Sequence, residues 1–136
     1  MSLRSLVPVV ARPLLASIFV VGGLDAFQNP AGKAPAAGSV LDPVLDQIPA
    51  EVEPVQVVKA DGALKVVAGV TMGLGIFPRL SALALAASLV PTTLAGHRYW
   101  EHEDESVRQM QKLQLAKNAS ILGGLLLVAA TPRRER

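Results

Sequence analysis

Six residues of this chain have the types and spacing to do chemistry: Asp25, Asp61, Lys65, His97, Lys117 and Asn118. Asp61 and Lys65 stand four apart, which on a helix puts carboxylate and ammonium on one face. His97 supplies an imidazole, whose ordinary pKa near neutrality suits the taking and giving of protons. With Asn118 it can hydrogen-bond a ring carbonyl, while Lys65 stabilises the charge of a reduced ring. That is quinone chemistry. The same residues can also form a purely structural polar network, or snorkel to an interface without binding anything. No nucleophile–base pair stands out, and no G-x-G-x-x-G follows a strand. The run Glu101-His102-Glu103-Asp104-Glu105 lacks ligand spacing and reads as a solvated loop, so no metal site is assigned. There is no cysteine, which excludes disulfides, thiolate zinc, iron–sulfur ligation and covalent haem. Only two histidines leave no self-contained transition-metal centre. A redox role would borrow its electron carrier; no cofactor is held covalently.

The elements that must position these groups are apolar. Of the 136 residues 51% are hydrophobic and 18% charged, and mean hydropathy is +0.41. Four apolar segments run Val7 to Leu24, Ala63 to Phe77, Leu80 to Gly96 and Ala119 to Thr131, the first interrupted by Arg12–Pro13. Each falls short of the roughly 20 apolar residues that span a bilayer. None carries the polar stripe, repeating about every 3.6 residues, that a soluble bundle helix needs. Glu53–Pro54 is a good start for the second segment, and Ser106 opens a polar lead into the fourth. With these extensions the expectation is an all-α membrane four-helix bundle in one domain, 1–136. Its helices lie at about 5–27, 54–77, 79–96 and 106–131. The first segment resembles a signal peptide, but no small-residue cleavage site follows it, and it is read as a retained helix.

Flanking charge orients the bundle. Arg4, Arg79 and the C-terminal Arg133, Arg134 and Arg136 mark one side; Asp42, Asp46, Glu51 and Glu53 mark the other. The positive-inside rule puts both termini in the cytoplasm and the long 28–53 loop outside. Asp25, Asp61, Lys65, His97, Lys117 and Asn118 then share the outer level. Within the loop, Asp42–Pro43 is placed to start a short helix with Val40, Leu41, Val44, Leu45 and Ile48 on one side. It is either a lid on the outer surface or a plain connector. Gly69 and Gly73, with Gly123 and Gly124, are read as helix-packing positions, and Gly22–Gly23 falls in the first span. Tyr99 and Trp100 suit an interfacial aromatic belt. Pro91 predicts a kink, with Thr92 and Thr93 satisfying freed carbonyls or lining a cavity. The basic residues are scattered despite a pI near 9.3, so nucleic acid is not an expected partner.

Several stretches resemble the DoxX family of small bacterial four-helix membrane proteins. They are Arg12-Pro13-Leu14-Leu15-Ala16 with Phe19 and Gly22-Gly23, FPRLSALALAASLVPTTLAGHRYW from Phe77 to Trp100, and Leu115-Ala116-Lys117-Asn118 followed by Leu122-Gly123-Gly124-Leu125-Leu126. Many relatives carry a lysine where this chain has Asp25-Ala26. The family is named after a subunit associated with thiosulfate:quinone oxidoreduction, and relatives are linked to membrane oxidoreductase assemblies. The resemblance therefore implies a multi-pass protein of the bacterial plasma membrane. The first reading is an accessory subunit, without activity of its own, that anchors a redox or respiratory complex. The alternative is a protein that binds quinone or lipid at the outer ends of its helices. A homo-oligomer is compatible with both.

Overall fold

The computed structural model describes residues 2–132. Five α-helices account for most of them: α1 (Leu3–Gln28), α2 (Ala34–Leu45), α3 (Pro54–Leu74), α4 (Pro78–Gly96) and α5 (Glu105–Ala130), with 3₁₀ turns at Pro30–Gly32 and Tyr99–Glu101. There is no strand among the described residues. Three helical stretches, Leu3–Gln28, Pro78–Glu101 and Glu105–Ala130, are long and apolar enough to cross a membrane. The fourth long helix, α3, has 21 residues but carries Lys59, Asp61 and Lys65.

Cross-helix contacts fix the order. Gly23 meets Gly62, and Ala16 meets Gly69 and Gly73, so α1 and α3 are antiparallel. Asp61 pairs with Ser88, and Thr71 with Ser81, so α4 runs back along α3. Asn118 bonds Thr93, and the Arg79 Nε–H reaches the Ala129 carbonyl at 2.8 Å, so α5 runs back along α4. The α3–α4 turn and the end of α5 thus share one end with the start of α1; α2 and the Tyr99–Glu101 turn share the other.

Local chemistry explains the boundaries. Pro54 occupies the first turn of α3, and the Glu53 N–H donates to Gln56 Oε1 at 3.0 Å. That helix stops three residues before the expected Phe77. Gly75 adopts φ +76°, open to glycine without a Cβ penalty, and Ile76 N–H closes on the Thr71 carbonyl. Phe77, also left-handed at φ 45°, then hands the chain to Pro78. Asp104 caps α5, accepting from the N–H groups of Ser106 and Val107. The helix in the long loop begins at Ala34, eight residues before Asp42–Pro43, with Pro35 in its first turn. Pro43 lies near its end rather than its start, and Ile48 falls beyond it. As expected, α1 is one helix, continuous through Pro8 and through the Arg12–Pro13 break in its apolar run. Pro91 likewise lies inside α4, where Thr92 and Thr93 donate to the Ser88 and Leu89 carbonyls. The C-terminal arginines used to orient the chain lie outside the described residues.

The buried core sits toward the α3–α4 turn: Ala16, Phe19, Ala68, Met72, Leu85 and Leu125 among its members. Outside it, apolar side chains face outward, with Leu14, Leu113 and Leu127 each about 70% exposed. A water-facing exterior of this kind is untenable over such contiguous areas. The solvent for it is lipid.

Candidate functional site

At the α2 end α1, α3 and α4 leave a space that α2 covers. The α2 helix packs across α3 and α4, and beneath it lies a cavity of about 420 Å³. Ala36, Ala37, Val40 and Leu41 of α2 form one wall, and Val57, Val58, Pro91 and Ala95 extend the apolar lining. The polar lining comes from Lys33, Asp61, Lys65, Ser88, Thr92 and His97.

These polar groups are organised by the antiparallel pairing of α3 and α4. Lys65 Nζ lies 2.7 Å from Asp61 Oδ2 and donates to Thr92 Oγ1 at 2.8 Å. The Ser88 hydroxyl donates to the other Asp61 oxygen, and Thr92 donates to the Ser88 carbonyl. Lys65 is only 8% exposed, a burial lysine tolerates when its charge is paired and its protons are accepted. Two of its three N–H groups are accounted for. His97 sits just past α4, half-buried, with Nδ1 2.7 Å from Gln111 Oε1 of α5.

The six candidate residues separate into two groups. Asp61, Lys65 and His97 meet at the cavity. Asp25 does not line it, but holds Lys33, which does, through a 2.6 Å ion pair, and accepts a further bond from Asn29. Asn118 is buried between α4 and α5, its Nδ2 donating to Thr93 Oγ1 at 3.0 Å, away from the lining. Lys117 is exposed and bonds Gln114 of its own helix. Tyr99 and Trp100 meet edge to face at 5.2 Å, with Lys112 over the Tyr99 ring. Among the described residues, no group of three or more His, Asp or Glu side chains is placed to hold a metal ion.

Among the glycines, a Cβ on Gly69 would come within 3.0 Å of Val20, and one on Gly124 within 3.4 Å of Leu15; Gly73 has ordinary room and Gly123 faces open space. The tightest approach is elsewhere. A Cβ on Gly62 would lie 2.6 Å from the Gly23 carbonyl oxygen, so α1 and α3 touch backbone to backbone directly beside Lys65. Sequence reading missed Gly62, Ser88, Lys33 and Gln111. The first two carry a faint signal, since Gly62 is next to Asp61 and Ser88 is one turn from Thr92. Lys33 and Gln111 carry none, because their roles depend on how the loop and α5 fold back.

The family model for DoxX matches residues 7–98, more than half of the chain. The chain belongs to the DoxX family. It is accordingly a small membrane protein, as its apolar exterior requires. No curated protein and no solved structure matches it. The DoxX match takes in α1 from Val7 onward, α2 to α4 and every residue lining the cavity, and ends before α5 and Gln111.

Proposed function

We propose that this DoxX protein binds the ring of a quinone-type molecule beneath α2, and serves as an accessory subunit that keeps such a ligand beside a membrane oxidoreductase. One observation carries the reading: a cavity of about 420 Å³ with an apolar wall on one side and the Asp61–Lys65–Ser88–Thr92–His97 group on the other. Its volume lies within the range usual for small-molecule sites, and the mix of many apolar and few convergent polar groups suits an aromatic ring bearing oxygens. Lys65 supplies positive charge close to where a reduced ring develops negative charge. A lipid headgroup is the competing occupant of the same space.

In this reading all four long helices cross the bacterial plasma membrane. α3 can do so because its buried ammonium is neutralised by Asp61 on the same face. Ten of the eleven acidic residues belong to the cavity end, where they outnumber seven lysines and arginines, whereas Arg4, Arg12 and Arg79 lie toward the other with no acid beside them among the described residues. That asymmetry favours a cytoplasmic location for both termini and an outward-facing cavity. The accessory role is favoured by an outer groove between α1 and α3, lined by small residues such as Ala16, Ser17, Gly69 and Gly73, where a partner helix can approach closely.

The test is quinone binding by the full chain in lipid nanodiscs. Val40→Trp, which fills the cavity from α2, and His97→Ala are each expected to lower affinity at least about tenfold while helical content is kept. Undiminished binding in both variants would sink the placement of the site. Mass spectrometry of the protein gently extracted from native membranes addresses the partner: stoichiometric oxidoreductase subunits support the accessory role, and a lone bundle argues against it.

A further inference from the structure

Resting on the reading of the cavity as a quinone-type site, we propose that Gln111 is a positioning residue that fixes the His97 proton on Nδ1, so that the cavity selects the reduced, hydroxyl-bearing form of its ligand. The argument begins with the end of α4. The His97 backbone N–H donates to the Thr93 carbonyl at 2.9 Å, which anchors the residue at the rim of the cavity. Its Nδ1 lies 2.7 Å from Gln111 Oε1, an oxygen that can only accept. A hydrogen bond of that length therefore needs the proton on Nδ1. In a neutral imidazole the other nitrogen then carries the lone pair. What His97 has left for a ligand is an acceptor, Nε2.

The rest of the polar wall leans the same way. Asp61 is a carboxylate, 29% exposed at its side chain, and it too can only accept. The Ser88 and Thr92 hydroxyl protons are already given to Asp61 and to the Ser88 carbonyl. The Lys33 ammonium gives one N–H to Asp25, and its other two can meet a carbonyl or a hydroxyl oxygen alike, so they do not discriminate. The remaining N–H of Lys65 can meet a ring oxygen in either redox state and does not discriminate. A hydroquinone brings O–H donors to this acceptor-rich wall. A quinone brings only carbonyl lone pairs, which would face the lone pair of Nε2. A site with a hydrogen-bonding group left unmatched rejects the ligand that leaves it so.

The pairing comes from α5, beyond the residues that the DoxX match covers. It ties the ligand preference of the cavity to a helix that contributes nothing to its lining. That makes Gln111 separable from the binding machinery. Altering it changes which nitrogen carries the proton, not the shape of the cavity.

The experiment compares menadione with menadiol, the latter kept reduced anaerobically, on the full chain in lipid nanodiscs. Menadiol is expected to bind at least about tenfold more tightly, the scale of one mismatched hydrogen bond. Gln111→Ala frees the ring to take either tautomer, and the ratio is expected to fall below about threefold while both forms still bind. Gln111→Glu, whose carboxylate also accepts from Nδ1, is expected to restore the ratio. A purely structural glutamine would move both affinities together and leave the ratio alone. Nitrogen NMR on imidazole-labelled protein carrying His102→Gln, which leaves His97 as the sole histidine, reads the tautomer directly. A proton on Nε2, equal affinities, or tighter menadione overturns the assignment but leaves the cavity reading standing. Binding of neither form by protein of native helical content overturns both.

Discussion

Gly62 and Lys65 show how closely packing and chemistry are joined at single residues. A methyl group on Gly62 would sit 2.6 Å from the Gly23 carbonyl and 2.7 Å from the Phe27 nitrogen, both of them backbone atoms that cannot swing away. Gly62→Ala is therefore expected to part α1 from α3 and to cost about 1–3 kcal/mol, the range for overpacking a close interface. Gly22→Ala, with nothing within 4 Å, is the control and should be neutral or slightly stabilising. Unfolding in detergent, followed by circular dichroism, distinguishes them. The ion pair beside this contact is asymmetric. The Lys65 side chain is 10% exposed and that of Asp61 29%. Asp61→Asn leaves a buried ammonium with Thr92 as its main partner and is expected to cost about 3–5 kcal/mol. Lys65→Met leaves a carboxylate that Ser88 and water still serve, at about 1–3 kcal/mol. The same unfolding measurement, run on both variants, would contradict this account if the order were reversed.

At the scale of elements, what was legible in the sequence depended on whether a local signal existed. The start of α3 was readable from Glu53–Pro54, because proline fits a first turn and its missing N–H is no loss there. The start of α5, expected near Ser106, lies one residue earlier at Glu105, where Asp104 caps the helix. The boundaries of α2 differ from the expectation because Asp42–Pro43 looks like a helix start, whereas Pro35 already provides one and Pro43 lies inside the helix. Nothing local distinguishes the two prolines. The α5 cap also carries a pH dependence. The Asp104 carboxyl is held below its ordinary 3.8 by the Ser106 hydroxyl, then by the Val107 and Ser106 backbone N–H groups. A lowered carboxylate pKa means that the cap contributes fully above the ordinary value and is lost as pH falls through the lower, folded one. Amide exchange at Ser106 and Val107, after correction for intrinsic rates, is expected to accelerate only below that ordinary value. Asp104→Asn keeps an acceptor without a titrating group, so its corrected exchange should show no such step. An unchanged acid step in that variant would assign the titration to another group.

For the whole molecule, the convergence of Asp61, Lys65 and His97 follows from antiparallel helices placing residues of one level side by side. The same logic put Asn118 and Lys117 at that level, but which way each faces depends on the rotation of α5, and no periodic polar stripe in its sequence records that. Orientation across the bilayer rests on charge alone: at the α2 end ten acids outnumber seven lysines and arginines, while Arg4, Arg12 and Arg79 lie toward the other end without acids among the described residues. Retaining arginine on the cytoplasmic side is a preference of insertion, so it can be tested without reference to any ligand. The absence of cysteine makes the test clean, because each introduced thiol is the only one in the chain. Ser39→Cys on the exposed side of α2 and Glu103→Cys before α5 are expected to react with a membrane-impermeant maleimide on intact cells. Ser2→Cys and Arg79→Cys are expected to react only after the membrane is opened. Labelling of both Ser39→Cys and Arg79→Cys from outside would mean that α3 fails to cross, since its start and end would then share a side. The reverse pattern would invert the protein and turn the cavity toward the cytoplasm.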